Sequence, residues 1–255
     1  MTAIDLSDLP APPPLSQAGR IALFLDLDGT LAAIEQRPQD VRPEPWRSGL
    51  LSRLRYALDG RLAVVSGRAL EDVDRILDGC IIPVAAVHGL VRRRADGTVL
   101  SASPHPLLNR ARTQATEFVA RHPGLELEDK RLGLALHFRG APDLAGLVAS
   151  EAARIARACG QTLQMGDMVA EIRTPGFDKG SAVDTFMEEE PFEGAVPIFV
   201  GDDLTDEDGF LAAQALGGFG VHVGPVRDTS ARFRLPGVDA VLLWLEGAMT
   251  QRAAS

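Results

Sequence analysis

The sequence predicts an α/β protein in which a parallel sheet with helices on both faces is interrupted by a smaller inserted α/β domain. Three observations carry this. Short apolar runs alternate with segments of helical period over the first hundred residues. From about Pro104 to Thr174, paired short strands and two helices replace that alternation. Beyond Pro175-Gly176 the first pattern returns. The expected organisation is a leader over residues 1–19, a core over 20–103 and 176–255, and an inserted domain over 104–175. Linkers would lie near Ala102–Pro106 and Thr174–Gly176.

Each element follows from its residues. The first residues lack a basic start followed by an apolar stretch, so they are not a secretory signal. Pro12-Pro13-Pro14 predicts an extended, mobile leader. Ile21–Asp26 (IALFLD) is too short for a helix and reads as a strand buried on both faces. Pro45 opens a helix at the position where a missing N–H does no harm. Trp46, Leu50, Leu51, Leu54 and Leu58 share one face of it, and Gly60 stops it. Arg61–Ser66 is a second buried strand, followed by a helix over Leu70–Leu77 and a third strand in PVAAVHG. Arg92-Arg93-Arg94 predicts one exposed strand edge. The inserted region reads as a helix (Leu107–Arg121), strands Leu125–Asp129 and Leu132–Phe138, a helix (Asp143–Cys159), and strands Thr162–Met165 and Met168–Arg173. Leu132, Leu134, Leu136 and Phe138 alternate as in a strand with one buried face. A helix near Lys179–Glu189, a buried strand (Val196–Asp202), a helix near Asp206–Leu216 and the strand FGVHV complete the core.

Composition excludes several functions. The net charge of −9 and pI near 5.1 make a poor general binder of nucleic acid or anionic membrane. No apolar run approaches the ~18 residues needed to span a membrane. With 45% hydrophobic and 24% charged residues the chain has an ordinary globular composition. Cys80 and Cys159 have no metal-type spacing and read as reduced core thiols of a cytoplasmic protein. No feature points to an obligate protein partner. Of 26 basic residues only Lys130 and Lys179 are lysines.

Four clusters carry chemistry, and three of them directly follow a buried strand, where open α/β sheets place their ligands. Asp26 and Asp28, in FLDLDGTL, put two carboxylates at the end of the first strand, able to collect a hard divalent cation. Ser66-Gly67-Arg68 offers a hydroxyl and backbone N–H groups as a small anion cradle, although strand-then-Ser-Gly is also a common helix entry. Lys179, in GFDKG, opens a helix where the macrodipole disfavours a cation, so its placement asks for a nearby anion. Asp202, Asp203 and Asp206, in GDDLTDED, crowd negative charge that repels itself unless a cation is present. Together these residues describe a Mg²⁺ nest with phosphate-oxygen donors beside it.

The order and context of these clusters resemble the haloacid dehalogenase-like (HAD) phosphatase superfamily. The longer strings FLDLDGTL, VVSGR, GFDKG and VGDDLTDEDGF are similar, more narrowly, to the trehalose-6-phosphate phosphatase family. LEDKRLGLALHFR (Leu127–Arg139) and MVAEIR (Met168–Arg173) resemble that family's cap, and similarity spans roughly residues 20–245. The resemblance implies a Rossmann-like HAD core with an inserted C2-type α/β cap. It further implies a phosphoric monoester hydrolase that converts trehalose 6-phosphate to trehalose and phosphate through an aspartyl-phosphate. Asp26 would be the nucleophile and Asp28 the general acid and then base. Mg²⁺ would bind Asp26, the Asp28 carbonyl and Asp202, with Asp203 and Asp206 holding waters or Lys179. Ser66, Gly67 and Lys179 would bind phosphate, and Glu128, Lys130, Arg139 and Glu171 the sugar. The two lysines would then mark the two halves of the active site. Two rivals remain open: another HAD enzyme such as a sucrose-phosphate phosphatase or phosphohexomutase, and a non-catalytic sugar-phosphate sensor. His88 and His137 are left outside the catalytic set.

Overall fold

The computed structural model describes residues 9–15, 19–35, 37–80, 82–130, 132–166 and 168–250. Residues 1–8 and 16–18 of the expected leader lie outside these. The chain divides into two compact units, Met1–Ser101 with Asp178–Ser255, and Ala102–Phe177.

The first unit holds strands β1 (Ile21–Leu25), β2 (Leu62–Val65), β3 (Val84–Ala86), β4 (Val91–Arg93) and β5 (Val99–Ser101), with helices α1 (Pro45–Ala57) and α2 (Leu70–Ile76) between them. The second unit contributes α3 (Leu108–Ala120), β6 (Glu126–Asp129), β7 (Gly133–His137), α4 (Ala145–Ala158), β8 (Thr162–Gly166) and β9 (Val169–Arg173). The chain then returns to the first unit with α5 (Lys179–Met187), β10 (Val196–Gly201), α6 (Asp206–Ala215), β11 (Phe219–Val223), β12 (Phe233–Leu235) and α7 (Val238–Thr250).

The core sheet runs β12-β11-β10-β1-β2-β3-β4-β5, parallel from β12 to β3 and antiparallel beyond. All five residues of β1 are buried, so both faces of the sheet are covered at its centre. Ala22 and Phe24 of β1 and Phe199 of β10 pack with Phe186 of α5, Phe192 and Phe210 of α6 in one apolar layer. The rings of Phe24 and Phe192 stack at 5.5 Å. Register fixes where the motifs meet. Leu25 pairs with Val200 on one side and Val64 on the other, so the strands end level and Asp26, Asp202 and Ser66 follow from adjacent carboxyl ends.

Two expectations change in this unit. The arginine run is not an exposed edge. Arg92 and Arg93 lie on β4, inside the sheet between β3 and β5, and are buried. Arg92 forks onto Glu189 at 2.8 Å through both terminal nitrogens, and Arg93 binds Asp74 at 2.7 Å. Trp46 is half exposed, because Arg47 takes the inward position instead, donating to the carbonyls of Leu31, Arg42 and Ile76. The described part of the leader is anchored: the Pro10 carbonyl accepts from the Arg234 N–H, and the Pro13 carbonyl from Trp244 Nε1.

In the second unit an antiparallel sheet, ordered β6-β7-β9-β8, packs one face against α3 and α4. Leu134, Leu136, Ala170 and Ile172 meet Ala111, Ala115, Phe118, Val148, Ala152 and Ile155 there. The other face carries a polar row, because side chains alternate along each strand. Glu128 pairs with Ala135, Ala135 with Glu171, and Glu171 with Gln164, so the four lie side by side across the sheet.

Candidate active site

Lys179 organises the buried cluster. Asp178 caps α5 by accepting from the Ser181 N–H at 2.7 Å, while Ser181 Oγ accepts from the Asp178 N–H at 2.9 Å. This reciprocal cap starts the helix at Lys179 and aims its side chain inward, leaving it 3% exposed. The ammonium donates to Asp26 Oδ1 at 2.8 Å and to Asp206 Oδ1 at 2.7 Å. Here, then, is the anion that a lysine at a helix start requires: two carboxylates from opposite ends of the core sequence. Asp206 is fully buried at the start of α6, and its Oδ2 accepts the Asp203 N–H at 2.9 Å.

Two glycines let the carboxylates close in. A Cβ at Gly29, whose φ is +73°, would lie 2.1 Å from Asp202 Oδ2, and one at Gly201 would lie 2.1 Å from Asp206 Cγ. Any side chain at either position would push an acid out of the cluster.

Charge is unbalanced. Burial, with repulsion from Asp202 and Asp203, outweighs the attraction of Lys179 and raises the Asp26 pKa to about 7. Asp202 rises to about 7 through burial and repulsion from Asp206 and Asp203. Asp206 is likewise pushed well above the usual carboxylate range, chiefly by burial. Burial would lower the Lys179 pKa, but Asp206, Asp26 and Asp203 overcome it and hold the ammonium charged. One lysine cannot neutralise this many carboxylates. Asp26, Asp202 and Asp206 each offer an oxygen within 4.8 Å of the others, an all-oxygen donor set of the kind hard divalent cations take. Asp206 already gives its two oxygens to Lys179 and the Asp203 N–H, so Asp26 and Asp202 are the more available pair.

The remaining core residues surround this cluster by sequence and hydrogen bonding. Ser66 is buried just past β2, and its Oγ accepts the Arg68 N–H at 3.2 Å. Gly67 lies under the His88 ring, which a Cβ there would meet at 2.7 Å. The Asp28 carboxylate is gripped by Arg68, with Nε to Oδ2 at 2.6 Å and Nη2 to Oδ1 at 2.7 Å. The Asp203 carboxylate turns to its own loop, accepting from the N–H and hydroxyl of Thr205, and is exposed.

In the second unit, Lys130 and Glu171 form an ion pair, and His137 Nε2 lies 2.9 Å from Glu128 Oε2. Hydrogen bonding to His137 holds the Glu128 carboxyl below its ordinary pKa. Arg139 is exposed two residues beyond β7.

Residue reasoning missed three features of these groups. The Arg68–Asp28 pair joins positions 40 residues apart and has no local signal. His137 and Gln164 share the polar face with Glu128 and Glu171, which only the register of four strands reveals. The need for Gly29 was implicit in Asp-Gly-Thr, but the partner it makes room for, Asp202, was not.

Comparison with known proteins identifies the family. Residues 24–239 match the family model described as trehalose-phosphatase. The chain is 42% identical over 232 residues to the trehalose-6-phosphate phosphatase of Escherichia coli, covering 90% of this chain and 86% of that protein. It is 36% identical to a probable trehalose-phosphate phosphatase of Sinorhizobium fredii, covering 86% and 84%. A solved trehalose-6-phosphate phosphatase related protein superposes with a TM-score of 0.75 at 28% identity, covering 92% of this chain and 100% of that one. On its HAD-type α/β fold and these matches, the chain belongs to the trehalose-phosphatase family of phosphoric monoester hydrolases.

Proposed function

We propose that this chain is a Mg²⁺-dependent phosphatase that hydrolyses trehalose 6-phosphate to trehalose and phosphate. The observation that carries the reading is the cluster of Asp26, Lys179, Asp206 and Asp202 at adjacent strand ends of a trehalose-phosphatase family member. Asp26 would attack phosphorus in line, forming an acyl phosphate as the P–O bond to the sugar breaks. Asp28 would give its proton to the departing O6, then take one from the water that attacks the acyl phosphate and regenerates Asp26. Lys179 and the Ser66 hydroxyl would stabilise the oxygens of the transferring group, and the Gly67 backbone N–H adds a further donor. Mg²⁺, held by Asp26, Asp202 and the Asp28 carbonyl, would supply charge neutralisation for the phosphate and the two acids. Asp206 would keep Lys179 in place, and Asp203 would shape the loop that carries Asp202.

Residues 104–175 would supply substrate choice. Glu128, Lys130, Glu171 and Arg139 present charged groups that suit sugar hydroxyls, since charge-assisted hydrogen bonds are strong and directional. Two free, buried cysteines, Cys80 and Cys159, fit a cytoplasmic enzyme. Among the described residues no helix is long and apolar enough to cross a membrane.

A panel of trehalose, sucrose and hexose phosphates, assayed for phosphate release with and without Mg²⁺, tests the reading. Metal-dependent turnover of trehalose 6-phosphate, well above the others, is expected. Preference for sucrose or hexose phosphates would favour the related HAD enzymes, and binding without turnover would favour the sensor.

A further inference from the structure

Asp28 is not left to find its own orientation. We propose that Arg68 is a positioning residue that holds the Asp28 carboxyl where it takes a proton on an outer oxygen lone pair and passes it to the leaving oxygen, returning to carboxylate, an inference that rests on the acid–base role proposed above for Asp28. Three contacts hold the guanidinium: the two carboxylate oxygens of Asp28 at 2.6 and 2.7 Å, and the Pro38 carbonyl, to which Nη1 donates at 2.8 Å. The Arg68 side chain is 11% exposed and that of Asp28 34%, so the fork sits inward and the carboxylate outward. A planar guanidinium held on a third side by backbone fixes both the position and the plane of the carboxylate it grips. Each carboxylate oxygen has a second lone pair, so the fork leaves a place on the outer side where a proton from water can bind, to be given to the departing O6 as the P–O bond breaks.

The same residue reaches the phosphate cradle through its backbone. The Arg68 N–H donates to Ser66 Oγ at 3.2 Å, which occupies a lone pair and leaves the Ser66 hydroxyl hydrogen to donate elsewhere. Ser66 and Asp28 are thereby oriented by two ends of one residue. Lysine could supply the charge at position 68 but not the two-pronged grip, so Arg68→Lys separates orientation from charge.

The test uses leaving-group chemistry. An aryl phosphate with an acidic phenol departs without a proton, whereas trehalose departs as an alkoxide unless protonated. Because kcat/KM reports only steps through leaving-group release, Arg68→Ala and Arg68→Lys should each lower kcat/KM for trehalose 6-phosphate by ~10²-fold, the scale of a lost acid. For p-nitrophenyl phosphate the loss should stay within about threefold, on the same reasoning. In an Asp28→Asn background, Arg68→Ala should cause no further loss with either substrate. Equal losses on both substrates, full rescue by Arg68→Lys, or additive losses in the double variant would each overturn the assignment. Wild-type turnover and the Asp28→Asn variant judge the underlying reading separately. If wild type leaves trehalose 6-phosphate intact, or Asp28→Asn harms both substrates alike, the proposed chemistry fails before Arg68 is considered.

Discussion

The buried cluster of the first unit and the polar row of the second are both built from acids facing few cations, yet they resolve the imbalance differently. In the cluster, Lys179 is shared by Asp26 and Asp206 in full burial, and burial, with repulsion among the acids added to it, raises carboxylate pKa values to about 7 at Asp26 and Asp202. In the row, Glu171 has Lys130 and Glu128 has His137, in pairs that are partly open to solvent. The first arrangement concentrates more carboxylate than Lys179 can offset and suits a fixed reaction centre. The second consists of hydrogen-bonded pairs whose partners hydroxyl groups can replace, which suits recognition. Removing a member of the cluster should therefore stop chemistry or destabilise the fold, while removing a member of the row should shift affinity.

The largest expected effect is at Asp26. Asp26→Asn should abolish turnover, on the order of 10⁶-fold as for other lost nucleophiles, and a wild-type rate in a phosphate-release assay would reject that role. Lys179→Met comes next, with ~10²–10³-fold lower kcat from the lost electrostatic contact. The same change leaves Asp26 and Asp206 buried without their cation, so chemical denaturation should show about 3–5 kcal/mol lower stability. Gly29→Ala should displace Asp202, because the new Cβ would lie 2.1 Å from its Oδ2. A drop of ~10²-fold in activity, with weaker Mg²⁺ binding by calorimetry, is expected from such a misplacement.

A smaller effect concerns pH. The raised pKa values of Asp26 and Asp202 mean that the native state binds protons more readily than the unfolded chain. Their contribution favours folding below the unfolded value near 3.8 and is lost as pH rises through about 7. Without a divalent cation these two groups should lower the melting temperature between about pH 5.5 and pH 8. Mg²⁺ should restore it at the higher pH and do little at the lower, and a shift independent of pH would contradict the assignment.

Much of this was legible in the sequence because the information is local. A buried strand ending in Asp, a lysine at a helix start, and a run of acids after a strand each state a conflict that only a neighbouring group can relieve. Parallel register then brought the strand ends together without further instruction. The burial of β4 was hidden because Arg92 and Arg93 carry the charge of a surface segment, and their burial depends on Glu189 and Asp74, distant in sequence. Likewise Trp46 read as core by helical spacing, but Arg47 fills that position by satisfying three carbonyls. The grip of Arg68 on Asp28 was equally out of reach. Long-range ion pairs leave no periodicity.

The division of labour between the two units is tested most directly with Lys130→Ala, comparing trehalose 6-phosphate with p-nitrophenyl phosphate in steady-state kinetics. The account predicts a KM for trehalose 6-phosphate raised by ~10-fold or more at nearly unchanged kcat, and little change with the aryl phosphate. Equal effects on the two substrates would contradict it.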